Sequence, residues 1–357
     1  MKRKRQADGR MVRDPNRLAL AVRGLARMLL WRGGHRGEVS DHFDGRRFHN
    51  VDGPQARGYG GVWRWRLERM RGGLERWPTW TEAQPGAAPP RRVEGTGLRL
   101  TFVNHATVLL QTGGMNVLTD PIWSWRASPV PWAGPKRRRP PGILMEDLPP
   151  IDVVLVSHNH YDHMDLPTLR TLKSVHAPRF FTPWGNGELL QREGIGPVTE
   201  MDWWQTATLA EPMQLTCVPA RHFSSRGFLD HDRTLWCGFV IHGESGPIYF
   251  AADTGFGSHF EQIAKRFGPP RLALLPIGAY LPRWFMGPVH MSPTQAVQAH
   301  QILRARMSIG IHFGTFANAD DSPRQALEEL HNAWQQRAQQ TGEFRVLEPG
   351  EALEAPE

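Results

Sequence analysis

At 357 residues with 40% hydrophobic composition, the chain can bury a sizeable core as one large or two average domains, which excludes a globally disordered protein. Its two cysteines, Cys217 and Cys237, exclude a disulfide scaffold and suit a reducing compartment, and no apolar run reaches the roughly 18 to 20 residues of a membrane span. The formal charge of +8 is uneven: residues 1–100 hold 22 Lys and Arg against 10 Asp and Glu, so the basicity belongs to the N-terminal third.

Residues 1–92 are expected to form a basic, Trp-rich, partly disordered extension. It opens with Lys2-Arg3-Lys4-Arg5, a charge run typical of a solvated tail. Residues 18–31 carry Arg23 and Arg27 on an apolar helical pattern, and those charges break the core that a signal peptide needs. Residues 62–71 fit an amphipathic helix or a short strand equally well. Trp31, Trp63, Trp65, Trp77 and Trp80 are interleaved with arginine, which admits two readings. Rings and cations can meet an anionic membrane surface, or the Trp residues pack on the main domain behind a solvated tail. The Pro/Gly-rich run from Gln84 to Pro90 reads as a linker.

A domain over residues 93–350 follows. Leu98 to Val103, Thr107 to Gln111 and Met115 to Thr119 read as strands, the last two joined by a Gly113-Gly114 turn. Residues 122–150 are too long for a plain connector. Their run Lys136-Arg137-Arg138-Arg139 makes Lys136 and Arg137 candidates for holding a phosphate headgroup, the alternative being a solvated loop. Ile151 to Val156 reads as a buried strand, followed by a helix over 166–174, a strand near 179–182 and a helix from about Gly187. Strands are expected over 213–218, 234–242, 247–251 and 307–311. Ser258 with Glu261, Ser292 with Gln295 and Ser322 with Gln325 mark three helix starts as capping boxes. Hairpins giving way to alternating strands and helices predict an α/β or α+β sandwich with helices outside.

The chemistry concentrates where the 151–156 strand ends, in Ser157-His158-Asn159-His160-Tyr161-Asp162-His163-Met164-Asp165. Alternation on the extended exit lets His158 and His160 point one way, with Asp162 and His163 on the turn beyond. Imidazoles with a carboxylate suit Zn²⁺, and the split into pairs points to two ions. His222, Asp253 and His312 each follow an apolar run, where a loop can turn them into a shared cleft. Singly, each is an ordinary strand-end residue.

Together these seven positions resemble the His-x-His-x-Asp-His, His, Asp, His pattern of metallo-β-lactamase-fold hydrolases. Within that superfamily the chain is similar to the N-acylphosphatidylethanolamine-hydrolysing phospholipase D group, through His105-Ala106-Thr107-Val108, Asp202-Trp203-Trp204, Ala252-Asp253-Thr254-Gly255, Gly278 to Met286 and Ile311-His312-Phe313-Gly314-Thr315-Phe316. Asn104 stands where that group's pattern has Gly, and Val289 where its mammalian members have Gln.

The resemblance implies an αββα metallo-β-lactamase sandwich. His158, His160 and His222 would bind one Zn²⁺ and Asp162, His163 and His312 the other, while Asp253 and a hydroxide would bridge them. Asp162 also counts as catalytic on this reading, His290 would assist the leaving group or a phosphoryl oxygen, and Asp120 would orient a ligand histidine. The implied activity is phospholipase D-type hydrolysis of N-acylphosphatidylethanolamine-like lipids. The expected setting is cytoplasmic, with residues 1–80 peripheral on the inner face of a membrane, and a homodimer is left open. The rival readings are a lactonase or esterase with a soluble substrate, a nuclease, and a non-enzymatic lipid- or nucleic-acid-binding protein. Nucleic acid ranks below lipid as a partner.

Overall fold

The computed structural model describes residues 22, 31, 33–72, 75, 77–243, 246–336 and 341–355. The basic tail and most of the apolar pattern at 18–31 therefore lie outside the described residues. Helix α1 (Tyr59–Met70) precedes β1 (Leu98–Asn104), β2 (Thr107–Thr112), β3 (Met115–Thr119), β4 (Val153–Leu155), α2 (Leu166–His176), β5 (Arg179–Pro183), α3 (Gly187–Arg192) and β6 (Val198–Met201). The second half runs β7 (Thr206–Ala210), β8 (Met213–Val218), β9 (Gly238–His242), β10 (Ile248–Phe250), α4 (His259–Phe267), β11 (Leu272–Pro276), α5 (Arg283–Met286), α6 (Pro293–Leu303), β12 (Met307–Ile311), α7 (Pro323–Gln335), β13 (Glu343–Arg345) and β14 (Ala352–Glu354).

The strands form two seven-stranded sheets, ordered β14-β1-β2-β3-β4-β5-β6 and β13-β12-β11-β10-β9-β8-β7. Why the layers stack is visible in β4, an apolar run buried on both faces as a parallel strand must be. Val153 and Leu155 join the core between the sheets, while Val154 joins Leu166, Leu169 and Leu172 of α2 in a second core outside. On the far side Phe260 and Ile263 of α4 and Ala296, Val297 and Leu303 of α6 close the other flank. The result is a helix-sheet-sheet-helix sandwich, the α/β architecture expected.

Several described residues before β1 pack on this sandwich. Phe43 and Phe48, 1% and 2% exposed, belong to the main core, and Asn50 exchanges hydrogen bonds with the backbone of His222. Residues 62–70 are helical, with Arg71 the cap that ends the helix. Trp65 stacks on Phe285 and donates to Asp320, and Trp77 donates to the Asp321 carbonyl. For these two Trp residues the packing alternative holds, whereas Trp63 is exposed.

Candidate metal centre

The seven expected ligands meet at one edge of the sandwich because the loops carrying them follow strand ends: His158 to His163 after β4, His222 after β8, Asp253 after β10 and His312 after β12. Turning side chains inward from these ends takes unusual backbone. His105, Asp120, Ala252 and His312 all have positive φ, at 48°, 33°, 52° and 61°, a conformation that non-glycine residues hold only when their surroundings enforce it.

Two ligand groups result. His160 Nδ1 lies 2.9 Å from His158 Nε2 and 3.2 Å from His222 Nε2, with Asp253 Oδ2 3.7 Å from His222 Nε2. Beside it, Asp162 Oδ2 is 3.6 Å from both His163 Nε2 and His312 Nε2, while Asp253 Oδ2 is 3.2 and 3.1 Å from the same two nitrogens. Ligands about 2.0–2.2 Å from a tetrahedral ion are separated by about 3.3–3.6 Å; the two Asp162 distances have that spacing and the two Asp253 distances fall just short of it. Asp253 Oδ2 belongs to both groups. His163 Nε2 and His312 Nε2 are buried with no hydrogen-bond partner, as are Asp253 Oδ1 and His290 Nδ1. Orphaned buried nitrogens facing two carboxylate oxygens within 4 Å fit divalent cations.

The remaining ring nitrogens are fixed from behind. Asp120 accepts from Ser157 N and Ser157 Oγ at 2.7 and 2.6 Å, and from His163 Nδ1 at 2.6 Å. Because the Ser157 hydroxyl proton goes to Asp120, its oxygen accepts from His158 Nδ1 at 2.9 Å. His222 Nδ1 donates to the Val289 carbonyl at 3.0 Å. Each bond puts the proton on Nδ1 and leaves Nε2 a lone pair facing the site. Val289 acts here through its backbone, which any residue supplies. Arg226 braces the loop from outside, donating to the Asn159 and Met164 carbonyls at 2.7 and 2.9 Å.

Charge divides along the same line. Burial, then neighbouring histidines, hold His158 and His160 well below the ordinary imidazole value, and burial brings His222 down to about 4. Burial opposes charge on His163 and His312 too, but Asp253 and Asp162 overcome it, raising His163 well above its ordinary value and His312 to about 9. His163 foremost, with the other imidazoles, likewise holds both carboxylates well below their usual range against burial.

His290 stands at the edge of the centre, its ring 5.0 Å from His222 and its Nδ1 4.0 Å from Asp253 Oδ2. Over the centre opens a cavity of about 460 Å³, lined by His160, Asp162, Asp253, His290 and His312 below and by Val62, Trp65, Phe223, Phe228, Phe285 and Met286 on its walls. Lys136 and Arg137 are not among the lining residues. Arg137 is 1% exposed and donates to the Ser124 and Ile122 carbonyls, while Lys136 lies over the Trp125 ring. The site also contains two residues without an expected role, His105 and Asn318, which donate to Asp162 Oδ2 at 3.0 and 2.7 Å. His105 follows a strand and begins a segment carrying the family resemblance, which was signal enough; Asn318 had none.

Residues 115–313 match the Beta-lactamase superfamily domain. The chain belongs to the metallo-β-lactamase superfamily. Within it, the chain is 39% identical over 274 residues to N-acyl-phosphatidylethanolamine-hydrolyzing phospholipase D 1 of Caenorhabditis elegans, covering 73% of this chain and 76% of the relative. It is 29% identical to a metal-dependent hydrolase of Methanopyrus kandleri over 72% of this chain and the relative's whole length. The metallo hydrolase Igni18 of Ignicoccus hospitalis shares the fold, with a TM-score of 0.55 at 23% identity over 73% of this chain and 99% of that one. Like its superfamily relatives, the chain is a metal-dependent hydrolase.

Proposed function

We propose that the chain is a phosphodiesterase of phospholipase D type, cleaving N-acylphosphatidylethanolamine-like lipids to an N-acylethanolamine and a phosphatidic acid with two zinc ions bound. The observation that carries this reading is the pair of ligand groups sharing Asp253 on the floor of an apolar-walled cavity. A polar floor takes a phosphodiester and apolar walls take acyl chains. The likeness to the worm phospholipase supports the same substrate class.

His158, His160 and His222 would hold one ion and Asp162, His163 and His312 the other, with Asp253 between. When bound, such a pair supplies Lewis acidity to phosphoryl oxygens and acidity to water. The chain's own residues do the rest. Asp120 and Ser157 keep the ligand histidines in the metal-binding tautomer. His290 is held neutral by its burial, so it acts as a hydrogen-bond donor to the oxygen on which charge develops as the ester bond breaks. The cavity walls keep bulk water from the reacting phosphoryl group.

The testing experiment is hydrolysis of N-acylphosphatidylethanolamine in mixed micelles by zinc-loaded protein, beside a soluble phosphodiester and a lactone. Release of N-acylethanolamine, lost with chelator, is expected. His290→Ala should keep its metal and lose about a hundredfold or more in kcat. Turnover of the lactone alone would reject the lipid phosphodiester.

A further inference from the structure

We infer that His105 and Asn318 are positioning residues that clamp Asp162 and so set the affinity of the ion site built from Asp162, His163 and His312. The inference rests on the two-ion reading above and adds a pair of residues to it.

The clamp is made by two loops that are tied together. The β1-β2 turn carries His105 and the loop after β12 carries Asn318. His312 N donates to the His105 carbonyl at 2.8 Å, and His105 N donates to Thr315 Oγ1 at 3.0 Å. A register shift in the β1-β2 pairing between Phe102 and Asn104 immediately precedes this contact. The His105 ring, 1% exposed, is wedged with its centroid 4.1 Å from that of His312 and 5.3 Å from the edge-on ring of Phe316.

From there His105 Nε2 and Asn318 Nδ2 reach the same oxygen, Asp162 Oδ2, at 3.0 and 2.7 Å. His105 Nδ1 is buried without a partner, so the bond to Asp162 places the ring proton on Nε2 and makes it a donor. The carboxylate torsion of an aspartate is intrinsically loose. Left alone, Asp162 would swing to pair with either His163 or His312; two fixed donors hold Oδ2 at 3.6 Å from each. That equal spacing is what an ion between them needs. His105 clusters with Asp162, His163 and His312, but its Nε2 proton is donated to Asp162 Oδ2 and its lone pair sits on Nδ1, so it supports the carboxylate rather than the ion.

The clamp serves one ion site and leaves the other alone, since His158, His160 and His222 are oriented by Ser157, Val289 and their neighbours. Titration of metal-free protein with Co²⁺, read by its visible absorption and by metal analysis, therefore separates the two. Wild-type protein should take two equivalents. His105→Leu and Asn318→Ala should bind one equivalent normally and the other roughly 10- to 100-fold more weakly, while His105→Gln, which can still donate near the Nε2 position, should recover most of the loss. In a His160→Ala background, where the Asp162 site is the intact one, His105→Leu should weaken the remaining equivalent by the same factor. Asn318 lines the cavity, so Asn318→Ala tests the clamp even if His105→Leu fails to fold. Two tight equivalents in both His105→Leu and Asn318→Ala would overturn the clamp alone. A wild-type protein that takes one equivalent would overturn the two-ion reading, and the clamp with it.

Discussion

A buried imidazole reports its surroundings through the proton it refuses, and His259, which is not one of the expected ligands, does so. It is buried beside Thr254, its Nε2 3.1 Å from Thr254 Oγ1, and burial lowers it from 6.5 to about 3. Above pH 6.5 it is neutral in both folded and unfolded chains and contributes no pH dependence. Between 6.5 and about 3 the unfolded chain takes up a proton that the folded chain refuses, so stability falls as pH falls through that window. His259→Gln should therefore flatten the loss of stability between pH 6.5 and 4, measured by urea unfolding of metal-free protein; an unchanged slope would show that His259 is not held neutral. At this scale the sequence displayed the donors and hid what holds them. His158, His160 and Asp162 are legible because spacing on a strand exit fixes their direction. The pairing of Asp162 with Asn318 joins residues 156 positions apart, and no local pattern encodes it.

Helix starts show the same division between chemistry and conformation. Ser292 and Ser322 form complete capping boxes with Gln295 and Gln325, each from extended backbone at ψ 163° and 160°. Ser258 has the same residue pattern but helical backbone, φ −66° and ψ −17°, so its hydroxyl accepts from no backbone N–H of the first turn and donates to Asp52 instead. Ser292→Ala and Ser322→Ala should each cost about 1 kcal/mol, and Ser258→Ala, on an exposed contact, about half or less, as denaturant midpoints will show. Core strands were legible from apolar runs. Strands β6 and β7 were not, because Val198–Met201 and Thr206–Ala210 are mostly exposed and mix polar with apolar residues. Strands β13 and β14 are three residues long, too short to show a period.

Across the whole molecule, composition records charge and not contact, and the stretch read as a basic extension includes Phe43 and Phe48 of the main core. Residues 33–72 lie against the core and the cavity, with α1 supplying Val62 and Trp65 to the cavity wall. The opposite face of α1 leaves Trp63, Leu67 and Met70 exposed at 64%, 53% and 75%, and Phe228 is exposed at the same cavity's edge. Among the described residues no helix is long and apolar enough to cross a membrane. If the proposed lipid hydrolase docks on a membrane, this apolar rim beside arginines is the surface we propose it uses. Replacing Trp63, Leu67 and Met70 together by Ala should weaken co-sedimentation with phosphatidylglycerol-containing vesicles about tenfold or more and leave turnover of a soluble phosphodiester unchanged. Equal vesicle binding would remove α1 from any such contact.

The claim on which the rest depends is that water attacks phosphorus in a lipid phosphodiester. Hydrolysis of N-acylphosphatidylethanolamine in ¹⁸O-labelled water, with both products analysed by mass spectrometry, tests it most directly. Attack at phosphorus puts one labelled oxygen in the phosphate of phosphatidic acid and none in the N-acylethanolamine. Label in the N-acylethanolamine hydroxyl, or release of a labelled fatty acid, would place the attack at carbon and contradict it.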